Sequence, residues 1–254
     1  MFLDVTLNDA KLMRNIIEAL TAIVDEAKFH AGDFGWEVLA MDPSRSAMVD
    51  FAMPRDAFDN FENDGELNFG VNLRELMDVL KLAGGEDSLR MRIEPDSGRL
   101  SIELKDSSSR KEFKLSLLDL GGEGGKRLKI PFEFKMEISS SLYSDIVKTA
   151  EAGGEQVVIE ATDELVTIKS STPSREVKFE IPKDSPEVME FKVDTTELPV
   201  RASYSLKYLR DFQKATKISD LVSLEFSTDK PMKLTFPIPG GGHIAYAVAP
   251  RLEY

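Results

Sequence analysis

The 254-residue chain contains no cysteine, which excludes a disulfide framework and any thiolate metal site and fits a reducing interior. It has no long apolar run: nothing approaches the roughly 18 residues that a membrane span needs. Its start, Met1-Phe2-Leu3-Asp4-Val5-Thr6-Leu7, has no basic leader and mostly alternates polar and apolar residues, so it does not read as a signal peptide. Histidine is scarce. His30 and His243 lie far apart and show no HxxxH or HxD spacing, so a histidine metal centre has no support. A GxSxG nucleophile elbow is missing. Gly240-Gly241-Gly242 lacks the Lys-Ser/Thr of a phosphate-binding loop and reads as a tight hairpin. Positive charge is in deficit, with 32 Lys and Arg against 45 Asp and Glu, a net charge of -13. That balance argues against a simple nucleic-acid binder, which is usually basic. Any such contact requires the cations to be segregated on one surface. Carboxylate pairs such as Glu86-Asp87 fall in turns and read as solvated. No catalytic residue, metal or cofactor is assigned.

What is present is an ordinary globular composition, 42% hydrophobic, arranged as one pattern written twice. The first copy opens with a strand-like run and a helix over Asn8–Leu20, where Leu12, Ile16, Ala19 and Leu20 recur at three- and four-residue steps. Strands follow at Trp36–Met41, Ala47–Met53 and Glu66–Val71. A second helix runs from Asn72 to about Leu82 with Leu73, Leu76, Met77 and Leu80 inward. Strands Ser88–Ile93, Arg99–Leu104 and Arg110–Leu117 end the copy. The second copy keeps the order: strand Phe132–Ile138, helix Ser140–Ala152, strands Gln156–Glu160, Leu165–Ser170, Arg175–Ile181 and Val188–Val193. A helix from Ser205 to about Thr216 and strands Leu221–Phe226, Met232–Phe236 and His243–Ala249 complete it. The second helices align at one constant offset, Leu73 with Leu206 and Leu76 with Leu209, and the next strand keeps step, Leu89 with Val222 and Met91 with Leu224. Many short strands with few helices imply an α+β class with mostly antiparallel sheet. The expected division is an N-terminal domain over 1–117, a glycine-rich connecting loop over 118–131, flexible and exposed, and a C-terminal domain over 132–254. Leu128 and Ile130 are apolar residues in that loop and either anchor its end or leave an apolar spot for a partner.

Five segments carry a family resemblance: Ala40-Met41-Asp42-Pro43-Ser44-Arg45, Gly70-Val71-Asn72-Leu73 with Leu80-Lys81, Leu117-Leu118-Asp119, Tyr208-Leu209-Arg210-Asp211-Phe212, and Ala249-Pro250-Arg251-Leu252-Glu253. In this order they resemble the PCNA-type sliding clamps of archaea and eukaryotes, over essentially the whole chain. The resemblance implies two topologically equal domains, sheets outside, four helices lining an inner face, and a trimeric ring closed head to tail around duplex DNA. It implies sequence-independent binding of double-stranded DNA. It also implies short peptide motifs through which DNA polymerase, clamp loader, flap nuclease and ligase attach, a location in the cytoplasm or nucleoid (the nucleus in a eukaryote), and no membrane or enzymatic role.

Carried over by position, the DNA-facing cations are Lys11, Arg14, Arg74, Lys81, Lys148, Lys207, Arg210, Lys214 and Lys217. Glu18, Asp78, Asp145, Glu151 and Asp211 lie on the same helices. The partner-peptide pocket is Met41, Leu128, Pro231, Ala249, Pro250 and Leu252. The subunit interface is Arg110, Lys111, Phe113, Lys114 and Leu115 against Arg175, Val177, Lys178, Phe179 and Ile181. A head-to-tail ring requires two different complementary edges, which these two strands supply. Two other readings stand beside this one: a clamp relative that assembles only as a heterotrimer, and an interaction scaffold of the same fold that never encircles DNA.

Overall fold

The computed structural model describes residues 2–121, 127 and 129–251. In chain order the elements are β1 (Leu3–Leu7), α1 (Ala10–Leu20), β2 (Glu26–Gly32), β3 (Gly35–Met41), β4 (Ala47–Pro54), β5 (Asn60–Asn63), β6 (Leu67–Asn72), α2 (Leu73–Leu80), β7 (Ser88–Ile93), β8 (Arg99–Lys105) and β9 (Arg110–Ser116). They continue with β10 (Phe134–Ser139), α3 (Ser140–Glu151), β11 (Gln156–Ala161), β12 (Leu165–Thr172), β13 (Arg175–Pro182), β14 (Val188–Val193), β15 (Val200–Ser205), α4 (Leu206–Phe212), β16 (Leu221–Phe226), β17 (Met232–Ile238) and β18 (Gly242–Val248). The order strand, helix, five strands, helix, three strands therefore occurs twice.

The chain forms two compact units. The first is Met1–Pro43, Val49–Arg127 and Ile238–Ile244; the second is Ser44–Met48, Leu128–Pro237 and Ala245–Tyr254. Each strand pairing inside the first has its counterpart inside the second. β1 pairs antiparallel with β5 and β7, as β10 does with β14 and β16. β2 pairs with β3 and β6, as β11 does with β12 and β15. The first unit contains the sheet β5-β1-β7-β8-β9, and the second contains the sheet β13-β12-β11-β15.

Local chemistry sets the starts of α1, α2 and α3. The Asp9 side chain accepts the Lys11 N–H at 2.8 Å and opens α1, Asn72 accepts from Arg74 and Glu75 at α2, and Ser139 accepts from Leu142 at α3. Each side chain satisfies amides that have no partner within the helix. Asn8, expected inside the first helix, is instead held by both oxygens of Asp59 at 2.6 Å. The buried stripe of α1 runs through Met13, Ile16, Ile17 and Leu20, and Leu12, expected inward, is half-buried beside it. The last helix is shorter than expected: α4 stops at Phe212 and the chain continues as a 3-10 turn over Gln213–Lys217.

Three strands escaped the sequence reading. β5 carries a single apolar residue, Phe61, in Asn-Phe-Glu-Asn. β2 and β15 do alternate, through Ala27, Phe29, Ala31 and Val200, Ala202, Tyr204, but their small residues mute the signal. The cores are otherwise dense with aromatics: Trp36 packs against Phe29, Phe58 and Phe69 in the first unit, and Tyr246 stacks on Phe212 at 4.3 Å in the second.

Described residues of the connecting segment are hydrogen-bonded to the first unit. The Leu118 N–H donates to the Gly70 carbonyl at 2.9 Å. At its other side Arg127 donates to Glu37 at 2.8 Å and to Asp50 at 3.0 Å.

Candidate nucleic-acid interface and docking surfaces

In the first unit α1 packs on α2. In the second, the buried Tyr143 of α3 donates its hydroxyl to the Leu209 carbonyl of α4 at 2.7 Å, and burial pushes its phenol well above the usual range. Each helix pair is thus fixed from below, and its outer face carries the cations expected to meet DNA. Seven of the nine are exposed, and Arg14 and Lys214 are half-buried. The nine fall into two groups by electrostatics. Arg74 bonds Asp25 at 2.7 Å, which raises its pKa further, and Lys81 bonds Asp78 at 3.0 Å. Lys207 lies 3.5 Å from Asp211 and Arg210 3.6 Å from Glu151. The Lys207 ammonium also stands 5.0 Å over the Tyr208 ring, a cation–π contact. By contrast Lys11, Arg14, Lys148 and Lys214 pair with no carboxylate among the described residues. Lys217 stands exposed in the 3-10 turn after α4 and has a partner.

The two strands expected at a subunit interface are both sheet edges. Within the sheets described, β9 pairs only with β8, and β13 only with β12. On β9, Phe113 and Leu115 are half-buried and alternate with exposed residues, as Val177 and Phe179 do on β13. Several of the charges are engaged at home. Arg110 pairs with Glu103 at 2.8 Å and with Glu112, and Lys111 reaches the Leu82 carbonyl at 3.0 Å and, at 3.2 Å, Asp87, which is buried where the sequence reading expects it solvated. Lys178 pairs with Glu180 at 2.6 Å, and Arg175 donates to the Ala152 carbonyl. Ile181 is already buried in its own unit, whereas Lys114 is exposed without an ion pair among the described residues.

Of the residues expected to receive partner peptides, Met41 is an exposed residue of the first unit. Pro231 and Pro250 are half-buried and Ala249 is exposed in the second. Leu128 and Leu252 lie outside the described residues. After β18 the tail is held by two backbone bonds, the Ala249 N–H on the Ser46 carbonyl at 2.8 Å and the Arg251 N–H on the Ser203 carbonyl at 2.7 Å.

Among the described residues no group of three or more His, Cys, Asp or Glu is placed to hold a metal ion, and no helix is long and apolar enough to cross a membrane. His30 stacks on Phe34 and contacts Asn68, and His243 lies 3.9 Å from Asp50. Sequence reasoning missed Arg127, whose partners Glu37 and Asp50 are remote in the chain, and it missed the grouping of Arg251 with α4. Neither has a local sequence signal.

Comparison with known proteins gives one consistent result. Residues 1–124 match the N-terminal domain of proliferating cell nuclear antigen, and residues 129–251 match its C-terminal domain. DNA polymerase sliding clamp 1 of Pyrobaculum aerophilum is 37% identical over 246 residues, 96% of each chain. The DNA polymerase sliding clamp of Thermofilum pendens is 34% identical over 246 residues, 96% of this chain and 97% of its own. The crystal structure of PCNA from Thermococcus kodakaraensis superposes with a TM-score of 0.91, covering 98% of this chain and all of the other at 24% identity.

Proposed function

The chain belongs to the proliferating cell nuclear antigen family, and from that membership we propose that it is a DNA sliding clamp: three copies close head to tail around duplex DNA and tether polymerase and other replication and repair proteins to it. The observation that carries the assembly is the pair of edges β9 and β13. The repeat makes β18 the equivalent of β9, and β4 the equivalent of β13. Within one chain β18 runs beside β4: in the first unit Gly242 stands against the Ala52 carbonyl, and in the second the Ala249 N–H donates to Ser46. The chain therefore contains one example of the pairing that β9 and β13 lack. Edge strands with open hydrogen-bonding groups invite a partner. Phe113 and Leu115 on one edge, and Val177 and Phe179 on the other, would complete their burial against the neighbouring copy. The remaining charges on these strands set the register.

A closed ring keeps DNA by topology, so its contacts with phosphate are required only to be weak and independent of sequence. Cations on α1–α4 provide that contact, while the acidic remainder of the molecule repels stray nucleic acid. Four carboxylates paired with helix cations keep the hold loose, which suits sliding. Client proteins dock through short peptides on the tail side of the second unit at Pro231, Ala249 and Pro250, beside Arg251. The protein acts by tethering and carries out no reaction of its own, inside the cell where DNA is copied.

Light scattering of the purified chain tests the assembly. The expected mass is three times the 28.3 kDa chain, about 85 kDa, independent of dilution over a wide range. A mass of one chain at every concentration and salt sinks the pairing of β9 with β13 between identical copies.

A further inference from the structure

On the second unit an open cleft of 630 Å³ lies between the end of α3, the loop leading into β11, the start of α4 and the tail. It is lined by three cations, Lys207, Arg210 and Arg251, by two carboxylates, Glu151 and Glu155, and by Ser205. We propose that this cleft seats one phosphodiester group of the DNA backbone, with Arg251 as its anchoring cation. Arg251 belongs to the tail beside the residues proposed to dock client peptides, where the resemblance gives it backbone contacts at most and no role for its side chain, and the inference rests on the clamp reading above.

The distances support it. The Lys207 and Arg210 ion pairs, at 3.5 and 3.6 Å, exceed the range of a good hydrogen bond, so both cations have donors to offer an incoming oxygen. Arg251 has no carboxylate partner among the described residues, while its N–H to the Ser203 carbonyl at 2.7 Å fixes the root of its side chain. The Ser205 hydroxyl makes no hydrogen bond to a described residue and leaves α4 without a side-chain cap, so it is available as a neutral donor. The Leu206 N–H is already used by the Glu155 carbonyl at 2.9 Å, so recognition falls to side chains. Lys207 is set against Asp211 and Arg210 against Glu151, which leaves Arg251 as the cation of the lining without a carboxylate partner among the described residues. One such cation matches a phosphodiester, which carries a single negative charge, better than a phosphate dianion or an acidic peptide, which Glu151 and Glu155 would repel. Position agrees: Lys207 and Arg210 are on the helix whose exposed face also leads to Lys214.

The test is binding of a linear duplex of about 30 base pairs over a range of sodium chloride concentrations, by fluorescence anisotropy. Each phosphate contact contributes close to one unit to the slope of log K against log salt. Arg251→Gln is expected to lower that slope by about one for each protomer that touches the duplex and Arg251→Lys to restore it. Lys148→Gln with Lys214→Gln serves as the reference. If the reference lowers the slope and Arg251→Gln does not, the clamp reading stands and the cleft proposal falls. If neither lowers it, the DNA-facing assignment of the helices fails and takes the cleft with it. Line broadening of inorganic phosphate in 31P spectra separates a free-anion site: broadening that depends on Arg251, with an unchanged duplex slope, overturns the proposal. So does a loss of client-peptide affinity in Arg251→Gln with an unchanged duplex slope.

Discussion

At the residue scale, Gly70 shows how one position without a side chain can set the course of a loop. It was noticed in the sequence only as part of Gly70-Val71-Asn72-Leu73. Its carbonyl accepts the Leu118 N–H, and a Cβ built on it would stand 2.4 Å from the Leu118 carbonyl and 2.8 Å from the Leu120 Cγ. The first contact is to backbone, which cannot rotate away. Gly70→Ala is therefore expected to push residues 118–120 off β6, at a cost of about 1–3 kcal/mol. Limited proteolysis after Leu118 should accelerate several-fold while the secondary structure is kept. Equal cleavage rates in the two proteins would mean that this close approach does not hold the segment.

At the element scale, the helices were the most legible part of the sequence. Their starts follow from Asp9, Asn72 and Ser139, and their buried faces from apolar residues three and four apart. Strands were legible where large β-branched or aliphatic residues alternate, as in β7 and β16, and lost where alanine or a single phenylalanine carries the pattern, as in β2 and β5. The hairpin between β8 and β9 presents the edge proposed for assembly, and it turns on Asp106. This carboxylate accepts the backbone N–H groups of Ser108 and Ser109, each at 2.6 Å, and both hydroxyls. The Ser108 amide, then its hydroxyl, then the Ser109 amide lower its pKa from 3.8 to about 2. Because the folded value is depressed, the turn's contribution is complete above the unfolded pKa of 3.8 and is lost as pH falls through about 2. A carboxyl titration followed by NMR should find the Asp106 midpoint near 2. A midpoint at the ordinary aspartate value would show that the serine bonds do not persist in solution.

At the scale of the whole molecule, the question raised by a net charge of -13 is how an acidic protein can hold DNA. Sequence position located the nine cations on four helices and just past the last of them but could not tell which of them are already neutralised. Arg74 on α2 and its partner Asp25, in the connection before β2, are remote in sequence and only the fold brings them together, whereas the pair Lys81 and Asp78 lies on one helix turn. A phosphate that approaches Arg74 or Lys81 must first displace a carboxylate; one that approaches Lys11 or Arg14 meets an uncompensated cation. In the first unit the two groups can be compared directly. Lys11→Gln with Arg14→Gln should lower the slope of log K against log salt by nearly two for each protomer that touches the duplex. Arg74→Gln with Lys81→Gln should lower it by distinctly less, because engaging those cations with phosphate frees their carboxylates and releases less counterion. Duplex binding over a range of salt concentrations measures both. Equal slopes for the two double variants would mean that the carboxylates do not screen their partners, and that the looseness of the clamp's hold has another origin than the pairing of its cations.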